Sequence, residues 1–473
     1  MERPIRGSMY DVIIVGARIS GSATALILAG RGYRVLLVDR ITFPSPTSSS
    51  TNLIHPPGVL RLRRWGVLDR LKAHTIPEIT HYSLQSGSVR LVAPLPAVEG
   101  VGYALSPPRI SLDQALAEAA VEAGAELREG ISVQELLREN GTVVGVSGVS
   151  KSSGKISEKA TIVVGADGKN SRVAQLAGAE KYRDDPVLSK SSWTYWEGLE
   201  QEPLVRTYRK SRRHPFSWPT HDGLSIVGVA WPAETFPSGD PDQTDRLVID
   251  AFADADPEFA ERLLRARRGD RWLTGAVPNF LRTSHGPGWA LVGDAGATRD
   301  PITASGITHA LLGAELLADA ITDGLSDRPM AEAMADYTAR RDKLIGDHYD
   351  YTRDYAKVAD HSPEERALIA AMSRSPRHGQ DMIGLFATIV PPDQFYTRGN
   401  FRELFGHLGS GPDVPWKSRL VRWLIDGVPG RPAWASGTAD RLIAAKIGPM
   451  GELLLRSPVP GASGTRPAPA STA

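Results

Sequence analysis

The sequence predicts an α/β fold that is built on a parallel β-sheet. Three short runs of β-branched and other apolar residues each lead into a glycine-containing turn and then into a helical pattern. These runs end at Gly16, Gly165 and Gly293. Because strands that alternate with helices form βαβ units, we expect the three runs to lie side by side in one parallel sheet.

The first of these segments, "DVIIVGARISGSATALIL" (residues 11–28), has the outline of a nucleotide-binding turn. In the G-x-G-x-x-G pattern, the first glycine makes the turn and the third allows the helix to pack on the strand, while the second lets the backbone approach a pyrophosphate. Gly16 and Gly21 occupy the first and third positions, but Arg18 replaces the second glycine. An ordinary strand–turn–helix therefore stays open on this segment alone.

The next strand favours the dinucleotide interpretation. "YRVLLVDR" (residues 33–40) reads as a second buried strand, and it ends in Asp39, twenty-three positions after Gly16. An acidic residue about 20 positions beyond the glycines, at the end of the second strand, can accept hydrogen bonds from a ribose. Residues 11–40 therefore predict a βαβ unit that binds the adenosine diphosphate half of a dinucleotide.

Composition restricts the class of protein. A chain of 473 residues suggests two or three domains, and its net charge of +1 predicts no nucleic-acid partner. The absence of cysteine excludes disulfides and thiolate chemistry. No apolar run approaches the roughly 18 residues that would span a membrane, and we expect a cytoplasmic protein. The basic cluster "RKSRRH" (209–214) reads as a solvated strand end or loop.

Periodicity and turn residues predict the remaining elements. The segment 76–104 reads as short strands, the segment 186–284 as strands and loops, and the segment 330–455 as mostly helical. The more specific predictions are a helix over 58–74, a helix over 111–127 with Ser111 as its N-cap and Gly124 near its end, a type I′ hairpin at Asn140-Gly141, a helix near 255–268, a helix over 303–320, and a disordered tail over 456–473.

Two further motifs identify a family resemblance. They are "VVGADGKNSRV" (163–173) and "GWALVGDAGATRDPITASGI" (288–307). Together with the βαβ unit, these segments resemble the DG and GD motifs of the FAD-dependent aromatic hydroxylase family, the single-component flavoprotein monooxygenases of the p-hydroxybenzoate hydroxylase type. The resemblance covers about residues 9–345, and some members of the family carry the same Gly-Ala-Arg form of the first turn.

The sequence predicts an architecture of three parts. The resemblance implies a discontinuous FAD-binding Rossmann-like domain of the glutathione-reductase type and a β-sheet substrate domain, and the helical pattern after residue 345 predicts a helical C-terminal region. The implied ranges are 1–75, 100–185 and 285–345 for the FAD-binding domain, 76–99 and 186–284 for the substrate domain, 346–455 for the helices and 456–473 for the tail. The helices 346–455 could form a lid, a dimer contact or a membrane-surface helix.

The resemblance also implies which residues bind FAD. Asp39 would hold the adenosine ribose, Asp294 the ribityl chain and Arg109 the pyrophosphate. Asp167 would serve both FAD and a transiently bound NAD(P)H, although Asp167 and Asp294 could instead be helix caps. Pro301 would begin a turn that aims the following helix at the flavin. The full expected set is Gly16, Ala17, Arg18, Ile19, Ser20, Gly21, Asp39, Arg40, Arg109, Val133, Asp167, Gly168, Gly293, Asp294, Pro301, Gly306 and Ile307, with no metal ligand.

The implied activity is oxygenation of an aromatic or polyketide-like small molecule. In the family, NAD(P)H reduces FAD, dioxygen forms a hydroperoxide at flavin C4a, and the substrate takes one oxygen atom. A flavin-dependent halogenase is disfavoured because "WTYWEG" (193–198) lacks the halogenase spacing of tryptophans and its Ile-Pro. A reductase of the geranylgeranyl reductase type and a flavin-binding protein without turnover stay open, and so does the choice between monomer and homodimer.

The sequence offers fewer candidates for contact with the substrate than for contact with FAD. In a strand over 192–197, Trp193 and Tyr195 would share one face and Thr194 and Trp196 the other, so that one pair could meet the substrate. We single out His55, Tyr195 and His309 as catalytic candidates, with His55 as a base or substrate contact. Packing in the protein core is the alternative for the aromatic pair, and an exposed or core position is the alternative for His309.

Overall fold

A computed structural model describes residues 9–45, 50–150, 154–237, 241–269 and 271–408. The predicted helical stretch over 409–455 and the predicted tail over 456–473 lie outside the described residues.

The strands that the structure describes have between two and twelve residues. They are β1 (Tyr10–Val15), β2 (Val35–Val38), β3 (His81–Ser86), β4 (Val89–Pro94), β5 (Glu126–Arg128), β6 (Ile131–Glu139), β7 (Thr142–Ser150), β8 (Gly154–Gly165), β9 (Lys181–Asp185), β10 (Ser189–Glu197), β11 (Leu204–Arg209), β12 (His214–Pro219), β13 (Leu224–Pro232), β14 (Arg267–Arg268), β15 (Leu273–Ala276), β16 (Asn279–Arg282), β17 (His285–Gly286), β18 (Trp289–Leu291) and β19 (Ala297–Thr298).

The helices fall between the strands in the first part of the chain and follow one another after β19. They are α1 (Ile19–Gly30), α2 (Pro56–Arg64), α3 (Arg109–Glu122), α4 (Arg172–Ala177), α5 (Pro241–Ala255), α6 (Pro257–Arg265), α7 (Gly306–Leu325), α8 (Met330–Tyr355), α9 (Pro363–Ser373), α10 (Pro376–Phe386), α11 (Pro392–Phe395) and α12 (Arg398–Gly406). Short 3₁₀ turns over Gly293–Ala295 and Pro301–Thr303 precede α7.

The first sheet confirms the predicted α/β class. Its strand order is β17-β18-β8-β1-β2-β5, and β1 runs parallel to both β2 and β8. The three strands that the sequence singled out, β1, β8 and β18, are therefore neighbours. Since parallel strands end at the same edge of a sheet, their three glycine turns come together.

The two faces of this sheet are covered differently. Val12 and Ile14 pack against residues of α1 and α7, whereas Ile13 and Val15 pack on the opposite side against the β6–β7 hairpin. Residues that alternate in this way are expected for a strand that is buried on both faces. The hairpin turn at Asn140 and Gly141 has positive φ angles at both residues, as the predicted type I′ turn requires.

The second sheet is antiparallel except where β11 pairs with β3, and its order is β14-β10-β13-β12-β11-β3-β4. Trp196 packs with α5 and α6 on one face, while Trp193 packs on the other face with residues of the C-terminal helices. The predicted alternation along this strand is therefore present. A third sheet has the order β19-β16-β9.

Several local predictions need correction. α3 begins at Arg109 with Pro108 as its N-cap, so Ser111 is not the cap and instead bonds His74 Nε2 at 2.8 Å. The helix predicted near 255–268 is α6, which Asp256 caps by accepting a hydrogen bond from the Phe259 amide, and a further helix, α5, precedes it. The helix predicted over 303–320 begins at Gly306 and continues to Leu325.

The C-terminal helices are part of the same structure. α8 runs without a break across the boundary expected at residue 345, and α9 and α10 pack on β4 of the second sheet. The apolar cluster on this face joins Tyr82 and Trp193 to Tyr351, Met382 and Phe386. Within the described part of the chain, no helix has both the length and the apolar character of a membrane-spanning segment.

Candidate active site

One cavity of about 1060 Å³ lies between the first two sheets. At one end it is lined by the turns that follow β1, β8 and β18, and at the other end by side chains of β10–β13. Ligands of open α/β sheets bind beyond the carboxyl ends of the strands, where this cavity begins. A volume above the usual range for one small ligand leaves room for a dinucleotide and a second molecule.

The backbone of the first turn requires glycine at two positions. Gly16 has a φ of +107°, and a Cβ added there would lie 2.4 Å from the carbonyl oxygen of Ala166. A Cβ added at Gly21 would lie 1.7 Å from the carbonyl oxygen of Gly16. Both positions therefore exclude any side chain. Arg18 has an ordinary φ of −92° and is the N-cap of α1, so a non-glycine residue costs no backbone strain there.

The predicted residues of this turn divide between the cavity and the layer behind it. Gly16, Arg18, Ile19 and Ser20 line the cavity, whereas Ala17 and Gly21 are not among the lining residues. The N-cap residue of α1 supplies no side-chain hydrogen bond to the first turn. Amide groups at such a helix end, with the positive end of the helix dipole, are suited to a phosphate.

Asp39 and Arg40 line the cavity beside the first turn. The Asp39 carboxylate accepts hydrogen bonds from the Ala17 amide at 2.7 Å and from the Ile41 amide at 3.1 Å. These bonds fix the carboxylate against the turn. A carboxylate has capacity for further hydrogen bonds, so its position is compatible with a ribose hydroxyl.

The second turn contains Asp167 and Gly168, and both residues line the cavity together with Val133. Asp167 accepts hydrogen bonds from the amides of Arg172 and Val173 at 2.6 and 3.1 Å. The alternative role as a helix cap is therefore present in the structure. Gly168 has a φ of +79° and faces open space, which allows a ligand to approach its backbone.

The third turn contains Gly293 and Asp294, which also line the cavity. A Cβ added at Gly293 would lie 2.6 Å from Ser20 Oγ, so the first and third turns touch at this point. The Asp294 side chain is exposed to the cavity, yet the surrounding protein limits its solvation and raises the pKa of its carboxyl. The positive charges of Arg299, Arg109 and Lys169 oppose this rise.

Arg109 lines the cavity and also supports α3. Its guanidinium lies 2.9 Å from the buried carboxylate of Asp113, one turn further along the helix. The pair explains why the arginine is held at this position. Arg109 can still direct the rest of its five N–H donors toward an anionic ligand.

The turn that leads into α7 is anchored by Asp300. This buried carboxylate accepts hydrogen bonds from the Ser189 amide at 3.0 Å, from Ser189 Oγ at 2.7 Å and from the Ile302 amide at 3.1 Å. Burial outweighs these bonds and raises the pKa of Asp300 to about 7. The two bonds from Ser189 connect the turn before α7 to β10 of the second sheet.

Pro301, Gly306 and Ile307 line the cavity at the start of α7, as do Ala304 and Ser305. Ser305 is the N-cap of this helix and supplies no side-chain hydrogen bond to it. A Cβ added at Gly306 would meet no atom within 4 Å, so the chain leaves open space at the helix end. The N-terminus of α7 therefore opens onto the cavity.

His309 lies on α7 among the lining residues. Its Nδ1 lies 3.0 Å from the carbonyl oxygen of Ser305, which can only accept, so Nδ1 carries the proton. Its Nε2 then accepts from Arg299 Nη1 at 3.3 Å. Burial, together with the charge of Arg299, lowers the pKa of His309 well below its ordinary value. His309 is thus a neutral ring with both nitrogens engaged.

His55 is placed behind the cavity wall and is not among the lining residues. Its Nε2 donates to the carbonyl oxygen of Thr303 at 3.0 Å, and its Nδ1 accepts from the Tyr82 hydroxyl at 2.7 Å. Burial lowers the pKa of His55 to about 4. This geometry corrects the expected role as a base, because the ring supports the turn before α7.

Tyr195, like His55, does not line the cavity. Its hydroxyl accepts a hydrogen bond from Asn52 Nδ2 at 2.6 Å, and Asn52 rather than Tyr195 lines the cavity. Burial raises the pKa of the Tyr195 hydroxyl. On the same strand, Trp193 reaches the cavity.

The end of the cavity that lies against the second sheet is aromatic. Trp193, Phe216 and Trp218 line it, and the rings of Phe216 and Trp218 stack with centroids 5.3 Å apart. Phe386 of α10 adds a fourth ring from the C-terminal helices. Among the lining residues that belong to β10–β15, His214 is the one titratable side chain.

Sequence reasoning missed several of these residues. Asp300 before Pro301 carries the signal of a capping residue, which could have identified it. The cluster over 209–214 was expected to be solvated, yet Arg209 and His214 are buried at the ends of β11 and β12. Phe386 gives no signal in the sequence, because only the packing of α10 brings it to the cavity.

Comparison with known proteins identifies the chain. The sequence profile described as "FAD binding domain" matches residues 9–350, which include all three turns. The protein belongs to the FAD-binding domain family. It is an FAD-dependent oxidoreductase, and the resemblance to the FAD-dependent aromatic hydroxylases is confirmed at the level of the family.

Relatives of this flavoprotein carry out different reactions. It is 28% identical over 371 residues to the digeranylgeranylglycerophospholipid reductase of Methanothrix thermoacetophila, a match that covers 74% of this chain and 88% of the relative. p-Nitrophenol 4-monooxygenase PnpA from Pseudomonas putida DLL-E4 superposes with a TM-score of 0.68 at 18% identity, over 81% of this chain and 98% of that chain. The flavin-dependent brominase Bmp2 superposes with a TM-score of 0.68 at 18% identity, over 80% and 94% of the two chains. At these identities the structural likeness establishes the fold.

The cavity of this flavoprotein fits the cofactor of its family. Two helix N-termini without side-chain caps, those of α1 and α7, border one cavity together with Asp39 and Asp294. The open backbone at Gly168 and Gly306 allows close approach of a ligand. FAD is the cofactor. Among the described residues, no group of three or more His, Asp or Glu side chains could hold a metal ion.

Proposed function

We propose that this flavoprotein is a monooxygenase that uses NAD(P)H and dioxygen to oxygenate an uncharged aromatic molecule. For hydroxylation, one oxygen atom enters a C–H bond of the ring as a hydroxyl group and the other leaves as water. NAD(P)H supplies a hydride, and solvent supplies the proton that completes the water. FAD, when bound, supplies the redox chemistry that connects the nicotinamide to dioxygen.

The observation that carries this proposal is the continuity of the cavity. Its aromatic end, with Trp193, Phe216, Trp218 and Phe386, opens directly into the end that is bordered by the three glycine turns. Aromatic side chains offer flat faces and edges that favour aromatic ligands. An aromatic substrate at this end would lie next to the cofactor in a space that protein encloses, as oxygenation requires.

We assign the FAD-binding roles by position in the cavity. Asp39 would accept from the adenosine ribose, the amide groups of the first turn and Arg18 would meet the pyrophosphate, and Asp294 would bond the ribityl chain. The N-terminus of α7, which opens onto the cavity, would stabilise negative charge on the reduced flavin. Asp167 would serve both the cofactor and the incoming nicotinamide.

Reduction of an isoprenoid alkene is the second candidate. The observation that favours it is the match over 74% of this chain to a relative described as digeranylgeranylglycerophospholipid reductase. The apolar lining at the second sheet is compatible with an isoprenoid chain as well as with a ring. In that reaction, the electrons from NAD(P)H would enter a carbon–carbon double bond and dioxygen would take no part.

One experiment separates the two candidates. The purified holoenzyme is reduced with NADH or NADPH without oxygen, and the flavin absorbance is then followed after mixing with air-saturated buffer or with geranylgeraniol in anaerobic buffer. The monooxygenase predicts rapid reoxidation by dioxygen and none by the alkene. Reoxidation by geranylgeraniol with a negligible reaction with dioxygen would establish the reductase instead. Failure of both nicotinamides to reduce the flavin would contradict both candidates.

A further inference from the structure

The side chain of His214 lies at the aromatic end of the cavity. It begins β12, it is 1% exposed, and it lines the cavity beside Phe216 and Trp218. The neighbouring lining residues of the second sheet are apolar, aromatic, hydroxyl-bearing or glycine. His214 is therefore the ionisable ring that a molecule bound at this end would meet.

The hydrogen bonds of His214 fix its protonation. Its Nδ1 lies 2.8 Å from the carbonyl oxygen of Tyr208, which can only accept, so the proton is on Nδ1 and a lone pair is on Nε2. Burial and the nearby charge of Arg209 lower the pKa of His214 well below its ordinary value, so the ring is neutral at pH 7. His214 thus presents a hydrogen-bond acceptor, with little tendency to keep a second proton.

This acceptor has no protein partner. Among the residues that the structure describes, no group donates to His214 Nε2, and this nitrogen is not one of the polar atoms enclosed without a partner. It therefore reaches the space of the cavity. Buried polar atoms are normally hydrogen-bonded, so an acceptor that faces a ligand cavity indicates a donor on the ligand.

Packing holds the ring in this orientation. Tyr355 lies edge-on to His214 with ring centroids 5.4 Å apart, and Phe216 lies on another side at 6.5 Å. Tyr355 in turn contacts Phe386 at 5.9 Å, so α8 and α10 contribute to the placement of the imidazole. A ring that is confined by one hydrogen bond and two aromatic neighbours cannot rotate to satisfy Nε2 elsewhere.

We infer that His214 Nε2 is a specificity-determining acceptor, which selects an aromatic substrate carrying a hydroxyl or ring N–H group. This inference names the substrate class and rests on the proposed function for the reaction itself. A neutral acceptor disfavours a carboxylate or phenolate at this position, since their oxygens would face its lone pair. The substrate is thus a neutral phenol, naphthol or nitrogen heterocycle rather than an aromatic acid bound through its carboxylate here.

Two substitutions test the roles of the two ring nitrogens of His214 separately. His214→Asn keeps a donor where Nδ1 lies and removes the acceptor from the cavity. His214→Gln keeps an acceptor near the position of Nε2 and loses the bond to the Tyr208 carbonyl oxygen. Both variants are purified with FAD, and their flavin spectra and melting temperatures are compared with those of the wild type.

The test measures binding without turnover. The oxidised holoenzyme is titrated with 1-naphthol and with 1-methoxynaphthalene, and binding is followed through the change in flavin absorbance. The two probes differ by the replacement of the donor hydrogen with a methyl group. Because the same pair is compared in wild type and variant, the steric effect of the methyl group cancels, and the change in the ratio of dissociation constants forms a double-mutant cycle. The pair indole and 1-methylindole repeats the test for a ring N–H group.

We expect the wild type to bind 1-naphthol about tenfold more tightly than its methyl ether, which is the usual size of one hydrogen bond. His214→Asn should bring the ratio close to one, and His214→Gln should keep most of it. An equal ratio in wild type and His214→Asn would overturn the inference, and so would a wild type that does not distinguish the probes or binds neither. If one variant fails to fold, the ratio in the other variant is compared with that of the wild type: a retained ratio in His214→Gln supports the inference, and its loss there overturns it. A shifted ratio without coupled oxygen consumption would leave the specificity intact and remove only the proposed reaction.

Discussion

At the scale of single residues, the first turn shows which positions of a nucleotide-binding motif are fixed by packing. Gly16 and Gly21 face backbone atoms that leave no room for a Cβ, whereas Arg18 has an ordinary φ and borders the cavity. The missing glycine at position 18 therefore does not disturb the fold of the turn. We expect Arg18 to affect the binding of the ligand instead.

Replacing Arg18 tests this conclusion. Arg18→Gly restores the common glycine pattern and removes a charge beside the expected pyrophosphate. We expect FAD to bind with equal or lower affinity and with a weaker dependence on salt, because a charge-assisted contact is lost. Fluorescence titration of the apoprotein with FAD at two ionic strengths gives both quantities. Clearly tighter binding by the variant would show that Arg18 opposes FAD binding.

Asp294 provides the second prediction at this scale. Asp294→Ala removes a carboxylate that is exposed to the cavity and leaves its cationic neighbours Arg299 and Arg109. We expect FAD affinity to fall by roughly threefold to tenfold, since one hydrogen bond contributes about 0.5–1.5 kcal/mol. Asp327→Ala, an exposed carboxylate that does not line the cavity, is the matched control. The same FAD affinity in both variants would contradict the role of Asp294.

At the scale of elements, the turn before α7 connects the two main sheets. Asp300 bonds Ser189 of β10 and the amide of Ile302, and His55 holds the carbonyl oxygen of Thr303 from behind. The N-terminus of α7 is therefore positioned by contacts from two other segments of the chain, β10 and the residue before α2. The orientation of this helix end toward the cavity depends on these contacts.

Asp300 makes this turn sensitive to pH. The folded-state pKa of about 7 lies above the ordinary value near 3.9, so between about pH 4 and pH 7 the folded protein holds a proton that the unfolded chain has lost. The free energy of unfolding contributed by Asp300 thus falls as the pH rises through this window, and it is constant above it.

The variant Asp300→Asn isolates that contribution. We expect the unfolding free energy of the wild type, relative to that of Asp300→Asn, to decrease by roughly 1 kcal/mol for each unit that the pH rises between pH 5 and pH 7. Urea denaturation at pH 5, 6, 7 and 8 with saturating FAD measures it, because contributions from other groups cancel in the difference. A difference that does not vary with pH would show that Asp300 is ionised throughout.

At the scale of the whole molecule, the C-terminal helices complete the cavity. Phe386 of α10 lines it and contacts the rings of His55, Tyr82 and Tyr355. These residues come from a loop, from the second sheet and from the end of α8. The helices that follow the FAD-binding family match are therefore part of the core that surrounds the aromatic end.

Removing the ring of Phe386 tests that integration. Phe386→Ala should lower the free energy of unfolding by about 3–5 kcal/mol, the usual cost of such a cavity in a core. Leu264→Ala on α6, where the side chain is 66% exposed, should change it by less than about 0.5 kcal/mol. Thermal and urea denaturation of the two variants give the comparison. Similar small losses would mean that α10 is only loosely attached.

The sequence by itself determined the parts of this protein that are governed by local rules. The apolar runs at β1, β8 and β18, the glycines at the turns and the position of Asp39 predicted the parallel sheet and its cofactor, because strand period, turn geometry and helix starts are encoded within a few residues. The same rules predicted the hairpin at Asn140 and Gly141 and the alternation of Trp193 and Trp196. They failed at Ser111, where a single capping residue was inferred from composition while the chain starts the helix earlier, after Pro108.

Only the tertiary structure decided which side chains reach the aromatic end of the cavity. His55 and Tyr195 were expected there, yet their hydrogen bonds to Thr303, Tyr82 and Asn52 hold them behind its wall. His214 and Phe386 line it instead. The physical reason is that a pocket between two sheets is built by contacts among distant segments, whose facing depends on strand pairing and helix packing that no local pattern records.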